Sequence, residues 1–171
     1  MSLTDRMLRV EEGVLRRVLG HLPTGVTVIT ANDGGEPVGI VANSVTSVSL
    51  DPPLMLICPA KSSGTWPRLR SAGTFCINVM AGHHEEVCRR FAVKGAADRF
   101  QGTSWHERHG MPALDDAVAW IDCSIRDEHD AGDHTIVVAD IIDMDAATDV
   151  EPLVFFRGRY GTLAGSVDEE P

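Results

Sequence analysis

A short loop in the first half of the chain carries the groups that bind a phosphate. Residues 58–66 contain one lysine, two serines and one threonine, and a predicted helix follows at once. Phosphates are bound where backbone N–H groups, hydroxyls and a cation converge on one point, often at a helix N-terminus. Lys61, Ser62, Ser63 and Thr65 supply these donors. A serine-rich turn that only caps the helix is the simpler interpretation, and composition alone favours it.

Three other segments offer groups that could contact a nucleotide cofactor. The run 43–47 carries small polar side chains suited to a sugar-alcohol chain or a ring edge. Gly-Asp-His at 132–134 forms a turn that opens a strand, and a histidine there could contact a nicotinamide or a flavin. Residues 152–160 combine aromatic rings with two arginines, which could stack on adenine or pair with a pyrophosphate. The simpler alternatives are an exposed turn histidine and an edge strand with solvated arginines.

Two histidine-containing segments resemble metal sites without completing one. His83-His84-Glu85 with Cys88 approaches the zinc-protease pattern, which requires a histidine in place of that cysteine. A solvated helix start, with acids favoured by the helix dipole, is the stronger interpretation. A second pair of histidines, at 106 and 109, gives only a weak signal. We therefore predict no metal and, without a G-x-S-x-G elbow, no serine-hydrolase chemistry.

Composition excludes several classes of protein. The 171 residues include 25 acids and 15 bases, a net charge of −10, which disfavours a nucleic-acid partner. Four cysteines lie far apart without a C-x-x-C motif and are typical of buried thiols in a reducing compartment. Apolar runs such as 54–58 are far too short to span a membrane, and the N-terminus has no apolar signal region. We expect a cytoplasmic protein that binds no membrane.

The elements that must position these groups are mainly strands. The pattern predicts three short helices and seven or eight strands that follow one another through short turns, which disfavours a βαβ fold. Neither G-x-G-x-x-G nor a P-loop is present. An antiparallel barrel with helices outside it is the natural arrangement, because closure removes exposed edges. The predicted helices are 5–20, 66–70 and 85–91, and the predicted strands are 26–30, 37–42, 45–50, 54–58, 74–80, 117–126, 134–144 and 153–160.

The remaining segments complete a single predicted domain, residues 1–165. Residues 92–116 are polar and irregular, which indicates a surface excursion and not a domain boundary. Residues 166–171 are expected to be a disordered tail.

Taken in order, these segments resemble the flavin reductase-like family, the FMN-binding split barrels. More narrowly, they are similar to the small reductase component of two-component flavin-dependent monooxygenases. The resemblance covers roughly residues 14–163. It is carried by Leu19-Gly-x-x-Pro23-Thr-Gly-Val-Thr-Val-Ile-Thr30, Pro37-Val-Gly39, Asn43-Ser44-x-x-Ser47-Val-Ser49-Leu-Asp-Pro-Pro53-Leu, Cys58-x-x-Lys61-Ser62, Gly73-x-Phe75-x-x-Asn78-Val79, Phe91-Ala92, Asp98-Arg-Phe100, Gly132-Asp133-His134, Pro152-Leu153 and Gly158-x-Tyr160.

The resemblance implies a mainly β fold, an antiparallel, Greek-key-like split β-barrel with a few short outer helices. It also implies a flavin site in which Lys61 is the cation for the phosphate. The flavin-binding residues would be Pro37, Val38, Gly39, Ile40, Val41, Asn43, Ser44, Ala60, Lys61, Ser62, Ser63, Gly64, Thr65, Phe91 and Ala92.

The same resemblance implies that NAD(P)H reduces the flavin, with His134 as the catalytic residue at the nicotinamide. Phe155, Phe156, Arg157, Gly158 and Tyr160 would border the same pocket and bind NAD. The chain would form a homodimer and supply reduced flavin to a partner monooxygenase. The resemblance favours FAD over FMN. The sequence itself favours NADH over NADPH, because no dedicated arginine pair for a 2′-phosphate stands out.

Three other functions remain open on the same barrel. A ferric or cobalamin reductase would differ only in its acceptor, which open sites of this kind encode poorly. A flavin-binding module without turnover would need neither Gly-Asp-His at 132–134 nor the aromatic and arginine residues of 152–160. A pyridoxamine-phosphate oxidase relative would need more basic residues for a second phosphate than this acidic chain offers.

Overall fold

The computed structural model describes residues 11–96 and 98–163. These residues form three α-helices and twelve strands, with a 3-10 turn at Gly82–His84. The helices are α1 (Glu12–Leu19), α2 (Trp66–Ala72) and α3 (Glu85–Ala92). The strands are β1 (Thr24–Gly25), β2 (Thr27–Asp33), β3 (Glu36–Ala42), β4 (Val45–Leu50), β5 (Pro53–Ile57), β6 (Thr74–Val79), β7 (Trp105–Arg108), β8 (Met111–Leu114), β9 (Ala119–Ala131), β10 (His134–Ala146), β11 (Leu153–Phe156) and β12 (Arg159–Thr162).

Seven strands form one antiparallel sheet in the order β3-β2-β6-β9-β10-β5-β4. The predicted mainly β, antiparallel fold with a few short helices is confirmed. Within the described residues, however, β3 and β4 do not pair, although they follow each other in the chain. The expected closure of the barrel is therefore incomplete, and a split separates these two edge strands. Only Asn43 and Ser44 connect them.

The main hydrophobic core lies between the strands of this sheet and α2. Ile29, Phe75 and Ile77 are almost fully buried, and Trp66 and Leu69 of α2 pack in the same cluster. Burying one side chain of this size contributes about 1.5–3 kcal/mol. The helix is locally determined as well. A proline lies in its first turn, and it ends at Gly73, whose φ of 72° suits a glycine.

A second hydrophobic cluster joins α3 to the three-stranded sheet β1-β11-β12. Phe91 of α3 packs there with Val28 of β2 and Leu153 of β11, and all three are buried. Tyr160 of β12 and Val41 of β3 pack against this cluster from its sides. The cluster therefore fixes the C-terminal hairpin and the end of β3 to the same helix.

Two predicted segments differ from the structure. The single strand expected at 153–160 is a hairpin, because Arg157 and Gly158 both have positive φ, 51° and 76°, and turn the chain back. The segment 92–116, expected to be irregular, contains the β7–β8 hairpin. Its side chains are mostly exposed on β7, so the sequence shows no regular apolar pattern there.

The ends of the chain lie mostly outside the described residues. Of the helix expected at 5–20, the structure describes only α1, which begins at Glu12; residues 5–10 lie outside the described part. The expected tail, 166–171, also lies outside it. Among the described helices, none is long and apolar enough to cross a membrane.

Candidate functional site

A cavity of about 640 Å³ lies at the split between the edge strands, a size typical of ligand sites. Its lining comes from the end of β3 with the link to β4, the loop after β5, Arg68 of α2, the end of α3 with the turn after it, Arg99, and the start of β10. Most of the residues predicted to bind flavin lie in this lining. They are Ile40, Val41, Asn43, Ser44, Ala60, Ser62, Ser63, Gly64, Thr65, Phe91 and Ala92, and His134 joins them.

The loop after β5 is held in place by the start of β10. The N–H of Lys61 donates to the carbonyl of Asp133 (2.9 Å), and the N–H of Thr135 donates to the carbonyl of Pro59 (3.0 Å). These bonds place the hydroxyl-bearing part of the loop beside His134, although about 70 residues separate the two in the sequence. The Ser63 hydroxyl accepts a hydrogen bond from the N–H of Trp66 (3.1 Å). This bond satisfies an N–H at the start of α2, whose N-cap residue is Thr65, and the contact of Ser63 with a phosphate stays a prediction.

Lys61 lies in the loop, but its ammonium group contacts other partners. It donates to Asp130 Oδ2 (2.5 Å) and to the carbonyl of Gly132 (2.6 Å). This pairing lowers the pKa of Asp130 below its ordinary value, first through the hydrogen bond and then through the charge of Lys61. Lys61 lines a different surface depression, with Asp130, Trp66 and others, and not the cavity at the split. Its role as the phosphate cation stays a prediction.

Arg99 lines the cavity, and the sequence interpretation gave it no cofactor role. Its Nη1 donates to the carbonyl of Gly39 and to Thr65 Oγ1, both at 2.7 Å, and its Nη2 donates to the carbonyl of Val93 (3.0 Å). Burial lowers the pKa of this guanidinium from its ordinary value. The motif Asp98-Arg99-Phe100 was the only local signal that could have marked it.

The wall of the cavity opposite the loop is formed by β3 packed on Phe91. A Cβ atom added at Gly39 would lie 2.7 Å from Phe91 Cε1, closer than any ordinary contact. Glycine is therefore required there for the ring to lie against the strand. Pro37, Val38 and Gly39 do not line the main cavity but a neighbouring one of about 50 Å³, which shares Thr65 and Arg99 with it. Their contact with flavin stays a prediction.

His134 contributes an imidazole ring to the cavity. Its Nδ1 lies 2.7 Å from Asp133 Oδ1, and this hydrogen bond lowers the pKa of Asp133 below its ordinary value. The side chain of His134 is 42% exposed, while that of Asp133 is 94% exposed. With Nδ1 directed to the carboxylate, Nε2 is the ring nitrogen left for a ligand.

Three of the residues predicted to bind NAD line a second cavity, of about 780 Å³. They are Phe156, Arg157 and Tyr160, and Pro23 of the N-terminal segment lies in the same lining. No residue is common to the linings of the two cavities. Phe155 packs on Tyr160 with ring centroids 5.2 Å apart, and Gly158 forms the hairpin turn. The structure of one chain thus does not bring these residues to His134, and their contact with nicotinamide stays a prediction.

The histidine segments considered as metal sites are engaged otherwise. His84 is buried and accepts a hydrogen bond from the N–H of Ala81 (3.2 Å). His109 lies near two carboxylates, Asp122 and Asp143, close enough for the three to share an ion. The guanidinium of Arg108 already contacts both carboxylates, at 3.1 and 3.3 Å. We interpret this group as an ion-pair network.

The chain matches the family model described as "Flavin reductase like domain" over residues 19–164. The reductase subunit of a flavin-dependent monooxygenase from Rhodococcus jostii is 41% identical over 146 residues, covering 85% of this chain and 74% of that protein. An NADH-dependent FAD reductase from Streptomyces globisporus is 40% identical over 173 residues, covering 98% and 93%.

Solved structures agree with this match. Nitrilotriacetate monooxygenase component B from Mycobacterium thermoresistibile superimposes with a TM-score of 0.88 and 36% identity, covering 94% of this chain and 90% of that one. The NADH:FAD oxidoreductase of Streptomyces globisporus, in complex with NAD and FAD fragments, gives a TM-score of 0.87 and 39% identity, covering 92% and 96%. The resemblance inferred from the motifs is confirmed, and the chain belongs to the flavin reductase like domain family.

Proposed function

We propose that this protein uses NADH to reduce FAD and supplies the reduced flavin to a partner monooxygenase. The proposal rests on one observation. In the cavity at the split of the barrel, a loop whose hydroxyl and N–H groups suit a phosphate lies next to His134. Membership of the flavin reductase family supports it, as do relatives named as an NADH-dependent FAD reductase and as monooxygenase reductase subunits.

The described residues fit a flavin. The apolar end of β3, through Ile40 and Val41, suits the face of a ring system, while Asn43 and Ser44 offer polar atoms to its edge and side chain. The loop residues 60–65 bring hydroxyls and backbone N–H groups to the other end of the cavity, where a phosphate would be bound. Phe91 packs behind β3 and gives the cavity a rigid wall.

Positioning is the main contribution of the protein to the reaction. Flavin supplies the redox chemistry, since it accepts a hydride from a nicotinamide stacked against it. Transfer requires the reacting atoms to lie about 3–3.5 Å apart, which a preformed cavity wall favours. Asp133 orients His134 through the 2.7 Å hydrogen bond. In this proposal the Nε2 of His134 contacts the nicotinamide and orients it, without forming a covalent bond.

We also propose that the protein is a homodimer. Helix α1 buries none of its residues within the chain. Its side chains Val18 and Leu19 are 57% and 52% exposed, and Leu22 just beyond it is 64% exposed. An apolar face of this kind is typical of a surface that another protein covers. Light scattering of the purified protein tests this proposal, and a monomer at all concentrations would contradict it.

Anaerobic reduction of excess FAD by NADH, with a catalytic amount of protein, tests the proposed function. We expect many turnovers per protein chain, because no other acceptor is needed. Reduction of only the protein-bound flavin would support the alternative of a module without turnover. Reduction that requires ferric or cobalamin acceptors would support the other alternative.

The His134→Ala variant gives a second readout. It should raise the KM for NADH or lower kcat, while flavin still binds. Loss of flavin binding in this variant would remove the proposed role of His134, because the histidine would then act on the flavin site itself.

A further inference from the structure

We propose that Arg99, and not Lys61, is the cation that binds the flavin phosphate and positions it at the loop after β5. The inference rests on the proposed function and names a residue for the same site. It follows from three observations: the partners of each cation near the cavity, the place of the guanidinium between the cavity walls, and its burial.

The first observation concerns which cations are already neutralised. Lys61 contacts Asp130 at 2.5 Å and faces away from the cavity. Arg68 lines the cavity but contacts Asp33 and Glu36, at 2.5 and 2.8 Å, and both hydrogen bonds raise its pKa. For Arg99, the described residues provide only uncharged acceptors, two carbonyls and one hydroxyl. Lys94, an exposed residue of the turn after α3, also lines the cavity, and no described carboxylate pairs with it. Arg99 differs from Lys94 because its guanidinium is held at the donor loop by Thr65 Oγ1, while its charge is likewise not offset by a described carboxylate.

The second observation is the position of the guanidinium. Its contacts join three segments around the cavity: β3 through Gly39, the donor loop through Thr65, and the turn after α3 through Val93. Of these three residues, Thr65 lines the cavity itself. Thr65 is one of the hydroxyl residues that the sequence marks for a phosphate. The 2.7 Å hydrogen bond from Arg99 to Thr65 Oγ1 thus places the charge beside a hydroxyl of the loop. Arginine suits this place because its planar fork matches phosphate oxygens.

The third observation is that the fold does not satisfy this side chain completely. Arg99 Nε is buried, and no acceptor for it lies within the described part of the chain. Burial without a counter-charge is unfavourable for a cation, and it lowers the pKa of Arg99. An anionic ligand in the cavity would offset this cost. In a chain with a net charge of −10, a phosphate needs such a local cation against the overall field.

The test compares the affinities for FMN and for riboflavin, which differ by the phosphate, measured by quenching of flavin fluorescence. We expect Arg99→Ala to weaken FMN binding by about 10- to 100-fold, the loss typical of a charge-assisted hydrogen bond. Riboflavin binding should change by less than about threefold, since its ring contacts remain. Arg99→Lys keeps a charge without the fork, so it should weaken FMN by an intermediate factor and leave riboflavin unchanged.

Two further variants make the comparison specific. Lys61→Ala should leave the ratio of FMN to riboflavin affinity within about threefold of the wild type, because Lys61 is paired with Asp130. Arg70→Ala is the matched control, since this exposed arginine of α2 pairs with Glu128 away from the cavity.

Three outcomes would overturn the inference. Equal weakening of FMN and riboflavin by both Arg99 variants would mean that Arg99 only holds the walls together. If the ratio of FMN to riboflavin affinity decreased in Lys61→Ala and not in the Arg99 variants, Lys61 would be the residue that binds the phosphate. Wild-type protein that binds neither flavin would instead refute the proposed function, and the inference with it.

Discussion

Replacing Gly39 by alanine tests whether the wall of the cavity depends on the packing of Phe91 against β3. The added methyl would lie 2.7 Å from Phe91 Cε1 and 3.2 Å from both Phe91 Cδ1 and the carbonyl of Ile29, while ordinary contact begins at 3.4 Å. The ring has little room to retreat. It is 2% exposed, and it meets the ring of Phe100 edge-on with centroids 5.0 Å apart.

The expected cost of Gly39→Ala follows from this overpacking. Inserting a methyl group into a packed core costs about 1–3 kcal/mol in the free energy of unfolding. For a chain of this length, about 2 kcal/mol lowers Tm by roughly 4–8 °C. Displacement of Phe91 should also weaken flavin binding, because the ring lines the cavity.

Thermal and urea unfolding measure the effect, with Gly25→Ala as the control. Gly25 lies in β1, where an added Cβ meets nothing within 4 Å, so its variant should stay within about 0.5 kcal/mol of the wild type. Phe91→Leu removes the clashing atom. Gly39→Ala combined with Phe91→Leu should therefore cost at least about 1 kcal/mol less than the sum of the single variants. Strict additivity, or a Gly39→Ala variant as stable as the control, would refute the packing argument.

Three other predictions concern stability and thiol chemistry. Asn78→Ala should lower the free energy of unfolding, measured in urea, by about 3 kcal/mol, because the buried N–H of Leu114 loses its hydrogen-bond acceptor. A decrease of less than about 1 kcal/mol would contradict this prediction. Burial lowers the pKa of His84 in the folded protein below its ordinary value of 6.5. The free energy of unfolding should therefore decrease as the pH drops from 6.5 through this lower pKa. In His84→Gln the decrease should be smaller, as measured by unfolding midpoints over a series of pH values. In native protein a thiol reagent should modify Cys58 before Cys88, whose pKa burial raises to about 12; faster modification of Cys88 would contradict its burial.

Local sequence patterns predicted most of the fold, because buried strands are rich in β-branched and other apolar residues. The β-branched run at 26–30 became the core of β2, whose first five residues are all buried. The segment 45–50 forms β4 with the predicted bounds, although none of its residues is fully buried. The C-terminal hairpin was missed because an Arg-Gly turn with two positive φ angles is not among the common hairpin signals.

The β7–β8 hairpin was missed for a different reason. It is held by contacts from distant strands: Asn78 Oδ1 accepts from the N–H of Leu114 (2.7 Å), and the Thr30 hydroxyl donates to the carbonyl of Pro112. Neither bond leaves a pattern within the segment itself. Local strand propensity does not reflect these hydrogen bonds, because their partners lie 36 and 82 positions away in the sequence.

The candidate site shows the same limit. Hydroxyls, small residues and a histidine could be found in motifs, and the structure brings Ser62, Thr65 and His134 to one cavity. It was harder to predict which cation is available to a ligand in the cavity. Lys61 pairs with Asp130, which is 69 positions away, and Arg99 contacts Gly39, which is 60 positions away. Which cation is free for a ligand is decided by tertiary contacts.

NADH oxidation in air, with purified protein and with or without added FAD, is the most direct test of flavin reduction by this protein. We expect turnover that depends on added flavin, is faster with NADH than with NADPH, and persists with FMN at lower efficiency. Protein that binds FAD in the cavity yet oxidises no NADH would refute its function as a flavin reductase.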